Sequence, residues 1–110
     1  MTVIKIFRRN NNIVGYIAKG HTDYSEQGSD IVCAAVSTAL QFPILSMREI
    51  LKIEPKIIID EDGFLEVDLR NLDKNNFKKI NLSLETMVLF INDLSKQYPK
   101  NIKLVEKEDK

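Results

Sequence analysis

The chain has 110 residues, enough for one domain with a single core. Its sixteen basic and sixteen acidic side chains cancel, which argues against a basic nucleic-acid-binding face and against electrostatic recruitment to a membrane. A single cysteine excludes an intramolecular disulfide, and the apolar stretches fall short of a membrane span, so the chain reads as a cytosolic protein with a free thiol.

Residues 2–9, TVIKIFRR, alternate two sets of side chains and end in NNN, after which IVGYIAKG resumes a β-branched and aromatic pattern. This pattern predicts a hairpin turning at Asn10 to Asn12. Residues 21–29 are polar, contain glycine and have no period, so they form a loop. Ser29 or Asp30 then suits a helix N-cap, and Val32, Ala35, Val36, Ala39 and Leu40 recur beyond it at helical spacing. Pro43 falls inside this pattern, because ILSMREILK resumes it. A proline there cannot donate to the carbonyl of Ala39, which predicts a kink or a break costing about 3 kcal/mol if unrelieved. The segment PKIIIDEDGFLEVDL is two β-rich runs around Asp62-Gly63, a hairpin signal. After a polar linker, Phe77, Ile80, Leu84, Met87, Val88, Ile91 and Leu94 trace one face of a second helix that ends near Tyr98-Pro99. NIKLVE offers a short last strand, and KEDK reads as a solvated tail.

This order predicts a single α+β domain over residues 1–110: a two-layer sandwich of a mainly antiparallel sheet with both helices on one face. Leu82, Leu89 and Phe90 stand off the main stripe of the second helix. Either they pack on the first helix, or they mark the contact of a homodimer.

The only histidine, His21, lies where the second strand ends, and the only cysteine, Cys33, lies in the first turn of the first helix. The loop between them can fold back and bring the two together. A free thiol is a weak nucleophile near pH 7, its pKa being roughly 8.5. The unpaired amides at a helix N-terminus favour a thiolate, a neighbouring imidazole can accept its proton, and the same amides can bind an oxyanion. Ser37 is one turn beyond Cys33 on the same helix face. Asp30 at the helix start can cap the amides or orient His21, and Asp23 competes for that orienting role. Gly20 lets the backbone pass close to the site, and Gly28 gives the loop a hinge position. Each has a plainer reading: a small packing residue, an ordinary cap, turn punctuation, a buried apolar thiol, a solvated imidazole. A metal site of His21, Asp23 and Cys33 is conceivable, but no fourth ligand follows a recognisable spacing.

GH at Gly20 and His21, followed after a gap by GSDIVCAAVS at residues 28–37, resembles the signature of the ribosomal-processing cysteine protease family, Prp. The resemblance implies a small α+β domain that dimerises, with Cys33 as nucleophile, His21 as base, and Gly20, Asp30 and Ser37 in supporting positions. It also implies a substrate: the N-terminal extension of large ribosomal subunit protein twenty-seven, with no cofactor required. Residues 22–29, among them Asp23, Tyr24 and Gly28, are expected to form a lid with Gly28 as hinge. Two rival readings are a non-enzymatic ribosome-assembly factor that binds the same tail and a thiol redox sensor. The sensor reading lacks a resolving cysteine in this chain.

Overall fold

The structure is a computed structural model that describes residues 1–26 and 28–109. β1 (Thr2–Arg9) and β2 (Asn12–Lys19) form the expected first hairpin. Asn10 and Asn11 at its tip adopt φ of 52° and 68°, the left-handed pair that a two-residue turn demands and that asparagine tolerates. Alternation then turns Ile4 and Ile6 of β1, and Tyr16 and Ala18 of β2, into the core.

α1 (Ile31–Leu45) starts at Asp30, whose carboxylate accepts the Cys33 amide, and buries Val32, Val36, Ala39, Leu40 and Ile44. Ala35, expected on the buried stripe, is only half-buried. The helix does not break at Pro43. It continues to Leu45 and then widens into one π-helical turn, Ser46–Ile50, in which the Leu51 amide donates to the Ser46 carbonyl at 3.0 Å. The Ser46 amide is shared between the carbonyls of Phe42 and Pro43, and the wider turn brings Met47 into the core. Taken as one rod, residues 31–50 are long and apolar enough to cross a bilayer, more than the sequence pattern suggested. Here Val32, Val36, Leu40, Ile44 and Met47 from that rod belong to the domain's own core.

β3 (Lys56–Asp60) and β4 (Phe64–Asp68) form the second hairpin, closed by residues 61–63 with Gly63 at φ 82°. α2 (Lys74–Gln97) is capped by Asp73, which accepts the Asn76 amide, and buries Ile80, Leu84, Met87, Val88 and Ile91. Phe77 and Leu94 pack half-buried at the ends of that stripe.

β5 (Ile102–Glu108) completes a five-stranded sheet in the order β3-β4-β2-β1-β5. Three pairings are antiparallel, but β5 runs parallel to β1, so the sheet is mixed. The reason is connectivity. Two antiparallel steps make β4 run with β1, and the helical crossover through α2 returns the chain to the end where β4 began, so β5 enters in the same direction. The pairing continues to Arg8 and Glu108, which corrects the expectation of a solvated tail from residue 107. Asp109 is held as well: its amide donates to the Arg8 carbonyl at 2.7 Å, and its carboxylate pairs with Arg9 at 2.7 Å and Arg70 at 3.4 Å. Lys110 lies outside the described residues. Arg8 joins the layers with a two-pronged pair to Glu85 of α2, 2.8 Å on each prong, and a 3.0 Å contact to Glu106 of β5.

Leu82, Leu89 and Phe90 are not absorbed by packing on α1; they remain 78%, 67% and 51% exposed. By contrast, Tyr16 is fully buried and its hydroxyl donates to the Leu40 carbonyl at 2.7 Å, tying β2 to α1. Burial pushes its phenol pKa up, so it stays a donor. Tyr16→Phe is therefore expected to cost about 1 kcal/mol. That corresponds to a fall of about 4–8 °C in the thermal midpoint followed by circular dichroism. An unchanged midpoint would mean that this bond contributes nothing to docking α1.

Candidate active site

β2 leaves the sheet at Gly20, and the local geometry admits no other residue there. Its φ is 96°, and a Cβ would sit 2.5 Å from the Met1 carbonyl oxygen. The Gly20 amide donates to the Gly63 carbonyl at 2.8 Å, and the Gly20 carbonyl accepts from Thr2 Oγ1 at 3.3 Å. The backbone entering His21 is thus fixed from two sides.

His21 and Cys33, both half-buried, line the same two adjoining depressions. One, about 260 Å³, lies between α1 and the β3–β4 end of the sheet, with Ala18, Val36, Leu40, Phe64 and Leu65 supplying apolar walls. The other, about 330 Å³, lies under the loop and is bordered by Asp23, Ser25, Gly28 and Asp30. Ser37 borders both, as its place one turn beyond Cys33 requires, and it is exposed. The structure therefore brings the only histidine and the only cysteine to one groove.

Asp30 caps the helix, the first of the two roles considered for it. Its Oδ1 accepts the Cys33 amide at 2.9 Å. Its Oδ2 accepts the Thr22 hydroxyl at 2.7 Å and the amides of Tyr24 and Ser25 at 3.0 and 3.3 Å. Desolvation pushes this carboxyl up, but the bonds from Thr22, Cys33, Ser25 and Tyr24 together outweigh it and hold the pKa at about 2. Asp23, at φ 57°, pairs through its carboxylate with the Met1 amine at 2.8 Å.

The cap also narrows the choice of oxyanion donors. The Cys33 amide is spent on the Asp30 side chain and the Ala34 amide on the Asp30 carbonyl at 3.1 Å. Among the described residues, neither of these two amides faces an anion unpartnered.

The loop is folded against its surroundings. Tyr24 packs edge-on against Tyr98 with ring centroids 5.4 Å apart, and Ser29 donates its amide to the Glu26 carbonyl at 3.1 Å. Gly28 has φ 93° with nothing within 4 Å of the place a Cβ would take, so only backbone conformation calls for glycine there. Gln27, within the expected lid, lies outside the described residues. Among the described residues, no three His, Cys, Asp or Glu side chains are grouped as metal ligands.

Sequence reasoning missed two members of the site. Thr22 is 1% exposed, donates to Asp30, and accepts from Asn101 Nδ2 through its carbonyl at 2.8 Å. In an aperiodic polar stretch nothing distinguishes a buried threonine from a solvated one. Gly63 was legible as a turn glycine, yet it also abuts the imidazole: a Cβ there would stand 3.0 Å from both Cε1 and Nε2 of His21.

The chain is similar to proteins of known structure and activity. The ribosomal processing cysteine protease Prp of Staphylococcus aureus (strain Mu50) is 32% identical over 92 residues, 84% of this chain and 85% of that protein. Its namesake from Bacillus subtilis (strain 168) is 27% identical over 94 residues, 84% of each. The crystal structure of the essential ribosomal processing protease Prp from S. aureus, in complex with a covalently linked product peptide, matches with a TM-score of 0.86 at 27% identity. The match covers 97% of this chain and 100% of that one. The same protein with a substrate peptide gives 0.77 at 26% identity over the same shares. The family model for cysteine protease Prp matches residues 1–103, and the chain belongs to that family of ribosomal processing cysteine proteases.

Proposed function

We propose that this protease is a cytosolic endopeptidase that removes the N-terminal extension of large-subunit ribosomal protein twenty-seven, with Cys33 as nucleophile and His21 as its base. The observation that carries the reading is the meeting of the chain's only cysteine and only histidine on the walls of one groove. A cysteine protease with a single thiol has one candidate nucleophile. The groove's apolar walls suit a peptide's side chains, and the S. aureus structures with substrate and covalently linked product peptides support a peptide occupant.

The chemistry is thiol acyl transfer. His21 takes the Cys33 proton, and the sulfur attacks the scissile carbonyl, forming a C–S bond while the carbonyl oxygen becomes an oxyanion. Amides in the first turn of α1 would donate to that oxyanion. Collapse breaks the C–N bond, and the protonated imidazole gives its proton to the leaving amine. Water, deprotonated by His21, then attacks the thioester, and the C–S bond breaks to return the thiol. Asp30 is a positioning residue in this scheme, because it binds the helix of Cys33 and the loop after His21 with one carboxylate. The working unit is a homodimer, for which the exposed Leu82, Leu89 and Phe90 of α2 are the contact surface.

Intact-mass analysis of a synthetic tail peptide incubated with the protein tests the activity directly. Two defined fragments are expected; an uncut but bound peptide would point to an assembly factor instead. Cys33→Ala is expected to abolish cleavage with little change in thermal midpoint. His21→Ala should lower turnover by about 10³-fold or more and slow alkylation of Cys33 at neutral pH. Turnover near the wild-type rate in either variant removes that residue from the scheme.

The cap has a pH signature. Its folded pKa, about 2, is depressed from 3.8, so the stability that its ionised form confers is fully present above the unfolded value and is lost as pH falls toward 2. The stability gap between wild type and Asp30→Asn, read from urea melts, is therefore constant near neutrality and shrinks below about pH 4. A gap that stayed constant down to pH 2 would mean the carboxylate's charge is not what holds the cap.

For assembly, sedimentation at micromolar concentration is expected to show a dimer that Leu89→Glu or Phe90→Glu dissociates while the fold persists. A wild-type monomer would refute the homodimer and leave the chemistry standing.

A further inference from the structure

We propose that Gly63, in the turn between β3 and β4, is a positioning residue for His21: its bare α-carbon forms the wall against which the imidazole rests. The inference builds on His21 as the base, and it assigns a role to a turn that lies more than forty positions away in sequence.

Three observations converge. The Gly63 backbone stands at φ 82°, where an L side chain is strained. A Cβ on it would lie 3.0 Å from Cε1 and from Nε2 of His21, and 2.9 Å from the Gly20 carbonyl oxygen. The Gly63 carbonyl in turn accepts the Gly20 amide at 2.8 Å, so the turn grips the backbone immediately before His21 as well as the edge of its ring. Gly28 supplies the contrast. It has a similar φ, 93°, but open space where its Cβ would be, so its need for glycine is conformational alone. At Gly63 the conformational need and the steric need coincide, and the atoms it would strike are those of the base.

The consequence is mechanistic. A histidine at the start of a loop has several staggered side-chain rotamers, and only one of them aims it at a given thiol. Proton transfer requires hydrogen-bond reach and alignment, and a misplacement of about 1 Å costs about 10²-fold in rate. The turn removes the alternatives on one side by occupying their space. It also borders the groove through Asp60 and Glu61, so the wall that holds the base is part of the surface the substrate meets.

The test uses Gly63→Ala and Gly63→Asn. Asparagine tolerates a positive φ better than alanine and so keeps a folded variant available, yet it still carries the obstructing Cβ. The third variant carries D-alanine at position 63, made by chemical synthesis. It relieves the backbone strain and places its methyl group on the opposite side of the α-carbon. The expected result is a kcat about 10²-fold lower in the two L variants with KM nearly unchanged, and recovery toward wild type with D-alanine. Because the chain has one histidine, its imidazole Cε1–H NMR resonance is a single clean reporter, and it should move in the L variants and return with D-alanine. Wild-type kcat and an unmoved resonance in folded Gly63→Asn would overturn the proposal. So would an equal loss in the D-alanine protein, which would mark backbone disturbance rather than a displaced ring. Failure of the dyad itself reads differently, since His21→Ala would then retain turnover.

Discussion

Four donors converge on the carboxylate of Asp30, and they come from both sides of the site: the Cys33 amide from α1, and the Thr22 hydroxyl with the Tyr24 and Ser25 amides from the loop that follows His21. Serine, threonine and asparagine are good N-caps, but each offers a single side-chain oxygen as acceptor. Only an ionised carboxylate has two oxygens free to accept and nothing to donate, so an aspartate can cap a helix with one oxygen while it ties down a loop with the other. The two half-sites would otherwise be joined by a flexible polar stretch, and the position of one relative to the other would be left to entropy.

Everything upstream of that carboxylate delivers the chain to it at the right angle. Gly20, pinned by Gly63 and Thr2, fixes where the backbone leaves β2. Thr22 is buried because Asn101, just ahead of β5, holds its carbonyl. That position of Asn101 depends in turn on the crossover through α2, which sets β5 beside β1. The parallel strand, remote from the groove in sequence, is thus part of what holds the loop. Tyr16 does the equivalent for α1, holding Leu40 to the sheet two turns beyond Cys33.

What the sequence discloses follows from the range of the forces involved. Both hairpins, the Asp30 cap and the buried stripe of α2 are written in local period and turn chemistry, so they were readable. That His21 and Cys33 line one groove was readable too, because strand end and helix start bracket one loop. The direction of β5 was not, since two hairpins and a helix can be closed with the last strand on either edge and only assembly decides which. Pro43 was readable only in part: the lost bond to Ala39 is a local fact, while the π-helical turn that follows, with Met47 in the core, was not written in the local pattern. Thr22 and Gly63 were invisible as site residues because their partners, Asn101 and His21, come from distant segments.

In the proposed mechanism the cap carries a chemical consequence for Cys33. The amide at the third position of a helix is one that an N-cap side chain commonly takes, and here the Cys33 amide is given to Asp30. In the proposed scheme, stabilising negative charge beside Cys33 then falls to donors other than that amide and to the imidazolium of His21. An imidazolium can do that work only if it stays within reach through both halves of the reaction, first as the partner of the thiolate and then as the acid that releases the amine. A site that spends its helix amide on a staple must therefore hold its histidine firmly. In that scheme the glycine turn against the ring and the Asp30 carboxylate would be two answers to the same requirement, one steric and one electrostatic.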